Sequence, residues 1–145
     1  MFVENLKETL NLGEKLSHRL SPQSIILLQG PIGAGKTSFV QGIAKGLSIS
    51  EDITSPTFAL SHHYNSGRIP LIHLDLYRLE NISSAKEVFF SEEEEAIQRQ
   101  AILVIEWPEL IETVIDNFWK IEINYAKNHG RHYKIRYPKN LLTFS

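Results

Sequence analysis

Eight consecutive residues carry the clearest chemistry in the chain. Gly30-Pro31-Ile32-Gly33-Ala34-Gly35-Lys36-Thr37 satisfies the pattern GxxxxGK[ST] at every fixed position. Glycines at these places let successive amide N–H groups turn inward and form a concave anion nest. A helix beginning directly behind them adds its positive amino-terminal end. Lys36 is the right length and charge to meet the β- and γ-phosphates of a nucleotide, and the Thr37 hydroxyl is a magnesium ligand of the expected type. Ser38, one residue deeper, comes within reach of the α-phosphate. The lysine is therefore read as the partner of a polyphosphate.

Such a site needs a carboxylate for the metal or for the attacking water, and two acids close apolar runs further on. Leu71-Ile72-His73-Leu74-Asp75 ends in an aspartate, and Ile102-Leu103-Val104-Ile105-Glu106 ends in a glutamate. Both fall at the carboxyl end of an expected strand, the ligand edge of an open α/β sheet. Spacing alone leaves open which acid serves the metal and which the water. Thr54-Ser55-Pro56-Thr57-Phe58 places hydroxyls in a loop behind the phosphate helix, where a switch segment would sense a γ-phosphate, although such a cluster is more often a plain turn. The histidines are less informative. His62 and His63 are neighbours on an expected strand and point to opposite faces. His73 shares a face with Asp75 and is read as packing. Glu92 to Glu95 reads as a solvated helix face, and Tyr133, Ile135 and Tyr137 as core.

The elements that must position these residues follow from periodicity. Leu6, Leu10, Gly13, Leu16 and Leu20 recur at helical spacing, so 5–19 is expected to be an amphipathic helix with Asn5 and Glu8 at its cap and Ser21-Pro22 beyond its end. Ile25 to Leu28 is a buried strand, and Lys36 to Leu47 returns to helical spacing, giving strand, glycine turn, helix. Residues 58–77 read as two strands joined at Asn65-Ser66-Gly67. Residues 83–100 have helical potential, with Ser91 and Glu94 as a cap for the second half. Ala101 to Ile105 is another buried strand, and Pro108 opens a short helix carrying Leu110, Ile111 and Val114. Trp119, Ile121, Ile123 and Tyr125 share one face, Tyr133, Ile135 and Tyr137 share another, and Asn128-His129-Gly130 lies between them as a hairpin turn. The expected architecture is a single α/β P-loop domain over 1–145, with a mixed parallel and antiparallel sheet flanked by helices.

Composition narrows the function. The chain has 145 residues, 42% hydrophobic and 22% charged, with a formal net charge of −2. That balance argues against a phosphate-coating nucleic-acid surface. With no cysteine, thiolate metal sites and disulfides are excluded. No apolar run approaches the roughly 20 residues of a membrane span, and the amino terminus lacks a secretory apolar segment, so a cytoplasmic protein is expected. A GTPase would carry DxxG and NKxD motifs, whereas Asp75 is followed by Leu-Tyr-Arg and NKxD is absent. A small-molecule kinase needs an acceptor pocket and a lid, for which the chain is short. A nucleotide-gated binding module without functional turnover is the remaining alternative to a minimal ATPase.

GPIGAGKTSFVQGIAKGL, SPTFAL, HLDLYRL and IEWPE, in that order in so short a chain, resemble the TsaE (YjeE) family, small bacterial ATPases required for threonylcarbamoyladenosine modification of tRNA. The resemblance runs from the helix around Thr9 to the Gly130-Arg131 pair. It implies ATP or ADP with Mg2+ as cofactors. It also implies action with the TsaB and TsaD proteins, TsaD being the threonylcarbamoyl transferase, and an indirect link to tRNA through that complex. ATP hydrolysis would reset the complex between cycles. The same resemblance implies that Ile32, Gly33, Ala34, Gly35, Lys36 and Thr37 hold the phosphates and that Thr37 and Glu106 hold magnesium. It places Thr9, Trp107 and Arg131 beside the nucleotide, gives Asp75 the attacking water, and makes 54–58 the segment read by the partners. One departure is EVFFSEEEEAIQRQ, which lacks the glycine that often precedes the family's acidic helix.

Overall fold

The structure, a computed structural model, describes residues 1–139; residues 140–145, the end of the motif-free tail, lie outside it. Its elements in chain order are β1 (Phe2–Val3), α1 (Leu6–Ser17), β2 (Ile25–Gln29), α2 (Lys36–Gly46), β3 (Ser61–Tyr64), β4 (Leu71–Asp75), α3 (Ile82–Arg99), β5 (Ile102–Glu106), a 3-10 turn (Glu112–Val114), β6 (Trp119–Tyr125) and β7 (Arg131–Arg136). Seven strands form one sheet in the order β1-β7-β6-β2-β5-β4-β3. The central strands β6, β2, β5 and β4 run parallel, and antiparallel pairs close both ends. β2 and β5 are near-continuous apolar runs, and β4 is one interrupted by His73, because both faces are covered, which is what a parallel centre requires. Ile26, Leu28, Leu71, Ile102 and Val104 pack with Phe39, Val40 and Ile43 of α2 on one side. Leu27, Ile72, Leu74, Leu103 and Ile105 pack with Ala85, Phe89 and Ala96 of α3 on the other.

α1 and α2 lie on the first side at unusually close range. A Cβ at Gly13 would stand 2.5 Å from the Phe39 carbonyl oxygen, and one at Gly42 would stand 2.4 Å from that of Leu10. The helices therefore touch backbone to backbone, which seats Thr9 of α1 near the first turn of α2. Asn5 caps α1 by accepting the Glu8 amide at 3.0 Å, while the Glu8 carboxylate reaches back to the Glu4 amide at 3.3 Å.

Three sequence expectations are corrected. α3 is one uninterrupted helix capped by Asn81, which accepts the Ser84 amide at 2.8 Å. No glycine or proline breaks it at Ser91, so that serine has no helix start to cap. The short helix after Pro108 shrinks to the 3-10 turn, with the Pro108 carbonyl accepting both the Ile111 and Glu112 amides at 3.0 Å. Burial of Ile111 and Ile115 in the second core sets its path, and Lys120 ties it to β6 by an ion pair to Glu112 at 2.9 Å. Finally, the apolar sets of β6 and β7 lie on the same side of the sheet, because the register pairs Ile121 with Ile135 and Ile123 with Tyr133. β1 was not foreseen. Two residues carry no period, and the strand exists through its pairing with His132 and Arg131. Among the described residues no helix is long and apolar enough to cross a membrane.

Candidate nucleotide site

β2 ends at Gln29 and the chain turns through 30–35 into α2. Gly33 and Gly35 sit at φ +79° and +108°, left-handed values that a side chain would resist. The first-turn amides of α2 have no helical acceptor, the general feature that suits a helix start to an anion. Lys36 is only 6% exposed. Its Nζ donates to the carbonyls of Gly30 at 2.6 Å and Pro31 at 3.0 Å, and lies 4.1 Å from the centre of the Trp107 ring. Burial lowers its pKa from the ordinary lysine value, opposed by the carboxylates of Glu106, Asp75 and Glu109. Among the described residues no carboxylate lies within ion-pair distance of it; its partners are the two carbonyls and the indole face.

Both acids reach the same edge. Asp75 is paired in register with Glu106 across β4 and β5, and Glu106 with Leu28 across β5 and β2. The register therefore delivers both carboxylates beside the phosphate turn. Glu106 Oε2 accepts the Thr37 hydroxyl at 3.3 Å and His73 Nε2 at 2.6 Å. Asp75 Oδ2 accepts the Thr57 hydroxyl at 2.9 Å and Oδ1 accepts the Tyr77 amide at 2.8 Å, with the Ser55 hydroxyl 3.5 Å away. The two acids are thus held differently. Strands and α2 fix Glu106, whereas half of the hold on Asp75 comes from the 54–58 loop.

Trp107 follows Glu106 with φ +58°, an uncommon conformation for a bulky residue, costing about 1–3 kcal/mol. Its amide donates to Leu28 O at 3.2 Å, and its ring packs on Tyr77 with centroids 4.7 Å apart. These contacts turn the indole over the lysine. The resulting cleft has a volume of about 440 Å³ and is lined by Ile32, Gly33, Lys36, Thr37, Asp75 and Glu106 among others. A second cleft of about 200 Å³ adjoins it, with Thr9, Ala34 and Arg131 in its walls. Gly33, Gly35 and Ser38 line both. Arg131 Nε donates to Ala34 O at 3.1 Å, and Tyr133, whose hydroxyl burial pushes up in pKa, donates to Thr9 Oγ1 at 3.4 Å. The predicted residues thus fall into two adjoining groups, one around Lys36 and one around Thr9 and Arg131.

The residues suit a magnesium nucleotide. Thr37 and Glu106 offer neighbouring oxygens, and among the described residues no group of three or more acids or histidines is arranged for a metal. Magnesium is commonly held that way, through one or two protein oxygens plus phosphates and water. Sequence reasoning missed His73, Tyr77 and Tyr125. Tyr125 donates to the Ile32 carbonyl and carries the Arg131 guanidinium over its ring at 4.6 Å. His73 did leave a signal: it is the one polar residue within an apolar strand, two positions before an acid on the same face.

The profile of the family described as threonylcarbamoyl adenosine biosynthesis protein TsaE matches residues 3–133. The tRNA threonylcarbamoyladenosine biosynthesis protein TsaE of Nostoc sp. is 43% identical over 137 residues, covering 93% of this chain and 83% of that protein. The protein of the same name from Treponema pallidum is 38% identical over 112 residues, covering 77% and 80%. The crystal structure of Bacillus subtilis YdiB superposes with a TM-score of 0.75 at 28% identity, over 92% of this chain and 80% of that one.

Proposed function

The chain belongs to the TsaE family, and on that premise we propose that it is a magnesium-dependent ATPase of tRNA threonylcarbamoyladenosine biosynthesis. The observation that carries the reading is the convergence of Lys36 and Thr37 with Glu106 and Asp75 on one cleft. ATP lies with its phosphates over the glycine turn and its nucleoside toward Thr9 and Arg131, since the two clefts share Gly33, Gly35 and Ser38. Lys36 leaves the Gly30 and Pro31 carbonyls for the β- and γ-phosphates. The Thr37 hydroxyl and the Glu106 carboxylate would hold magnesium, which would supply charge neutralisation for the phosphates. Asp75 orients the attacking water and takes its proton, once Thr57 and Ser55 release its Oδ2. Trp107 and Tyr77 shield the lysine from solvent. Release of Asp75 by the 54–58 loop couples hydrolysis to whatever presses on that loop. The TsaB–TsaD complex is the proposed partner, reset by the ATPase cycle and contacting tRNA on this chain's behalf.

The test is ATP hydrolysis by the purified chain alone and with TsaB, TsaD and tRNA, using Lys36→Ala as the blank. Activity that rises with the partners supports the proposal; activity indifferent to them refutes the coupling. Asp75→Asn keeps an acceptor for the Tyr77 amide and is expected to slow hydrolysis about 10²–10⁴-fold with ADP affinity retained. Modification in cells that survives loss of hydrolysis would favour a nucleotide-gated binding module.

A further inference from the structure

His73 is fully buried, and its neighbours along β4, Leu71, Ile72 and Leu74, are all apolar. For packing alone a phenylalanine would serve, without burying two polar nitrogens. Among the described residues only one of those nitrogens has a partner: Nε2 meets Glu106 Oε2 at 2.6 Å, and Nδ1 is buried without one. A carboxylate oxygen at that distance requires a donor, so the proton sits on Nε2. The same Oε2 accepts the Thr37 hydroxyl. Histidine, glutamate and threonine thus form a chain across β4, β5 and the first turn of α2. His73 is paired in register with Val104, two residues before Glu106 on the same face, so its reach to the carboxylate follows from the sheet itself. Among the described residues Asp75 receives nothing comparable from a strand, its donors being Thr57, Ser55 and the Tyr77 amide.

We propose that His73 is the positioning residue of the magnesium site: its Nε2–H pins the Glu106 carboxylate in the orientation in which Glu106 and Thr37 together receive the ion. This rests on the magnesium reading given above. Its energetic content is preorganisation. A carboxylate held by a buried donor loses little rotational freedom when the metal arrives, and removing such outer partners weakens metal affinity about 10–100-fold.

The measurement is ADP affinity of the full chain with and without Mg2+, in wild type, His73→Phe and His73→Gln. The Phe ring fills the space without a donor, and the Gln amide restores one. The Phe variant is expected to bind metal-free ADP like wild type and to lose about 10–100-fold of the gain that Mg2+ adds, with Gln recovering most of it. A Phe variant with the full magnesium gain, an equal loss with and without metal, or a Gln variant no better than Phe each overturns the assignment. A second readout needs no variant fold. In wild type the His73 ¹⁵N resonances show the proton on Nε2 and shift when Mg2+ joins the ADP complex; resonances unmoved by Mg2+ also overturn it. If wild-type ADP affinity gains nothing from Mg2+, the magnesium reading itself fails, a result distinct from failure of His73 alone.

Discussion

Gly42→Ala opposes two effects of known size and opposite sign. In the interior of α2, alanine is favoured over glycine by about 1 kcal/mol on helix propensity. At this position the new Cβ would stand 2.4 Å from Leu10 O and 3.0 Å from its Cα. Both are backbone atoms of α1 and cannot rotate away, so the helices must part by most of an ångström. Overpacking of that kind costs about 1–3 kcal/mol, and packing outweighs propensity by up to about 2 kcal/mol net. For a chain of this size the midpoint of thermal unfolding falls by about 2–4 °C per kcal/mol. Gly13→Ala meets the Phe39 carbonyl at 2.5 Å and should behave alike. The double variant should cost less than the sum, because one separation relieves both contacts. The parting also moves Thr9 away from Gly35 and Ser38 across the second cleft, so ADP binding should weaken with stability. Circular-dichroism melts and ADP titrations of the three variants measure all of this. A Gly42→Ala chain that melts higher than wild type would refute the backbone contact and leave propensity as the whole effect.

Although Glu109 is exposed, partial desolvation of its carboxyl raises its pKa, outweighing its own backbone hydrogen bond and the attraction of Lys36. A carboxyl raised in the fold binds more protons there than in the unfolded chain, so its cost is complete above the raised value and gone below the ordinary one, about 4.3. Glu109→Gln should therefore melt slightly higher at neutral pH, with the advantage vanishing as acid is added; an equal advantage at both ends would refute this. Tyr125→Phe removes the hydroxyl that donates to Ile32 O, a bond worth about 0.5–1.5 kcal/mol net. The melting temperature should fall by about 1–6 °C, and ADP binding should weaken by up to about tenfold as the phosphate turn loses that support. Thr57→Val takes the nearer hydroxyl from Asp75 Oδ2 and leaves Ser55 at 3.5 Å. Amide exchange across 54–60 should speed up while ADP affinity holds, and unchanged exchange would show that the loop is fixed by other contacts.

The strand–turn–helix around Lys36 was legible in the sequence because its causes are local: an apolar run, glycines at left-handed positions and helical spacing behind them. The apolar runs of β4 and β5 announced their acids for the same reason, and family membership followed from motif order. Other features depend on partners far along the chain. β1 exists only through β7, α3 runs past Ser91 because nothing stops it, and β6 and β7 present their apolar residues to one side only once their register is set. Likewise Tyr133 reaches Thr9 from 124 residues away. The sequence left Asp75 and Glu106 equivalent by spacing alone. Strand order decided between their surroundings, setting β4 beside β5 so that His73 and Thr37 meet Glu106 while the 54–58 loop takes Asp75. Local propensity acts over a few residues and is written in order along the chain. Register and strand order are chosen by burying both faces of the sheet at once, a condition that no single stretch contains.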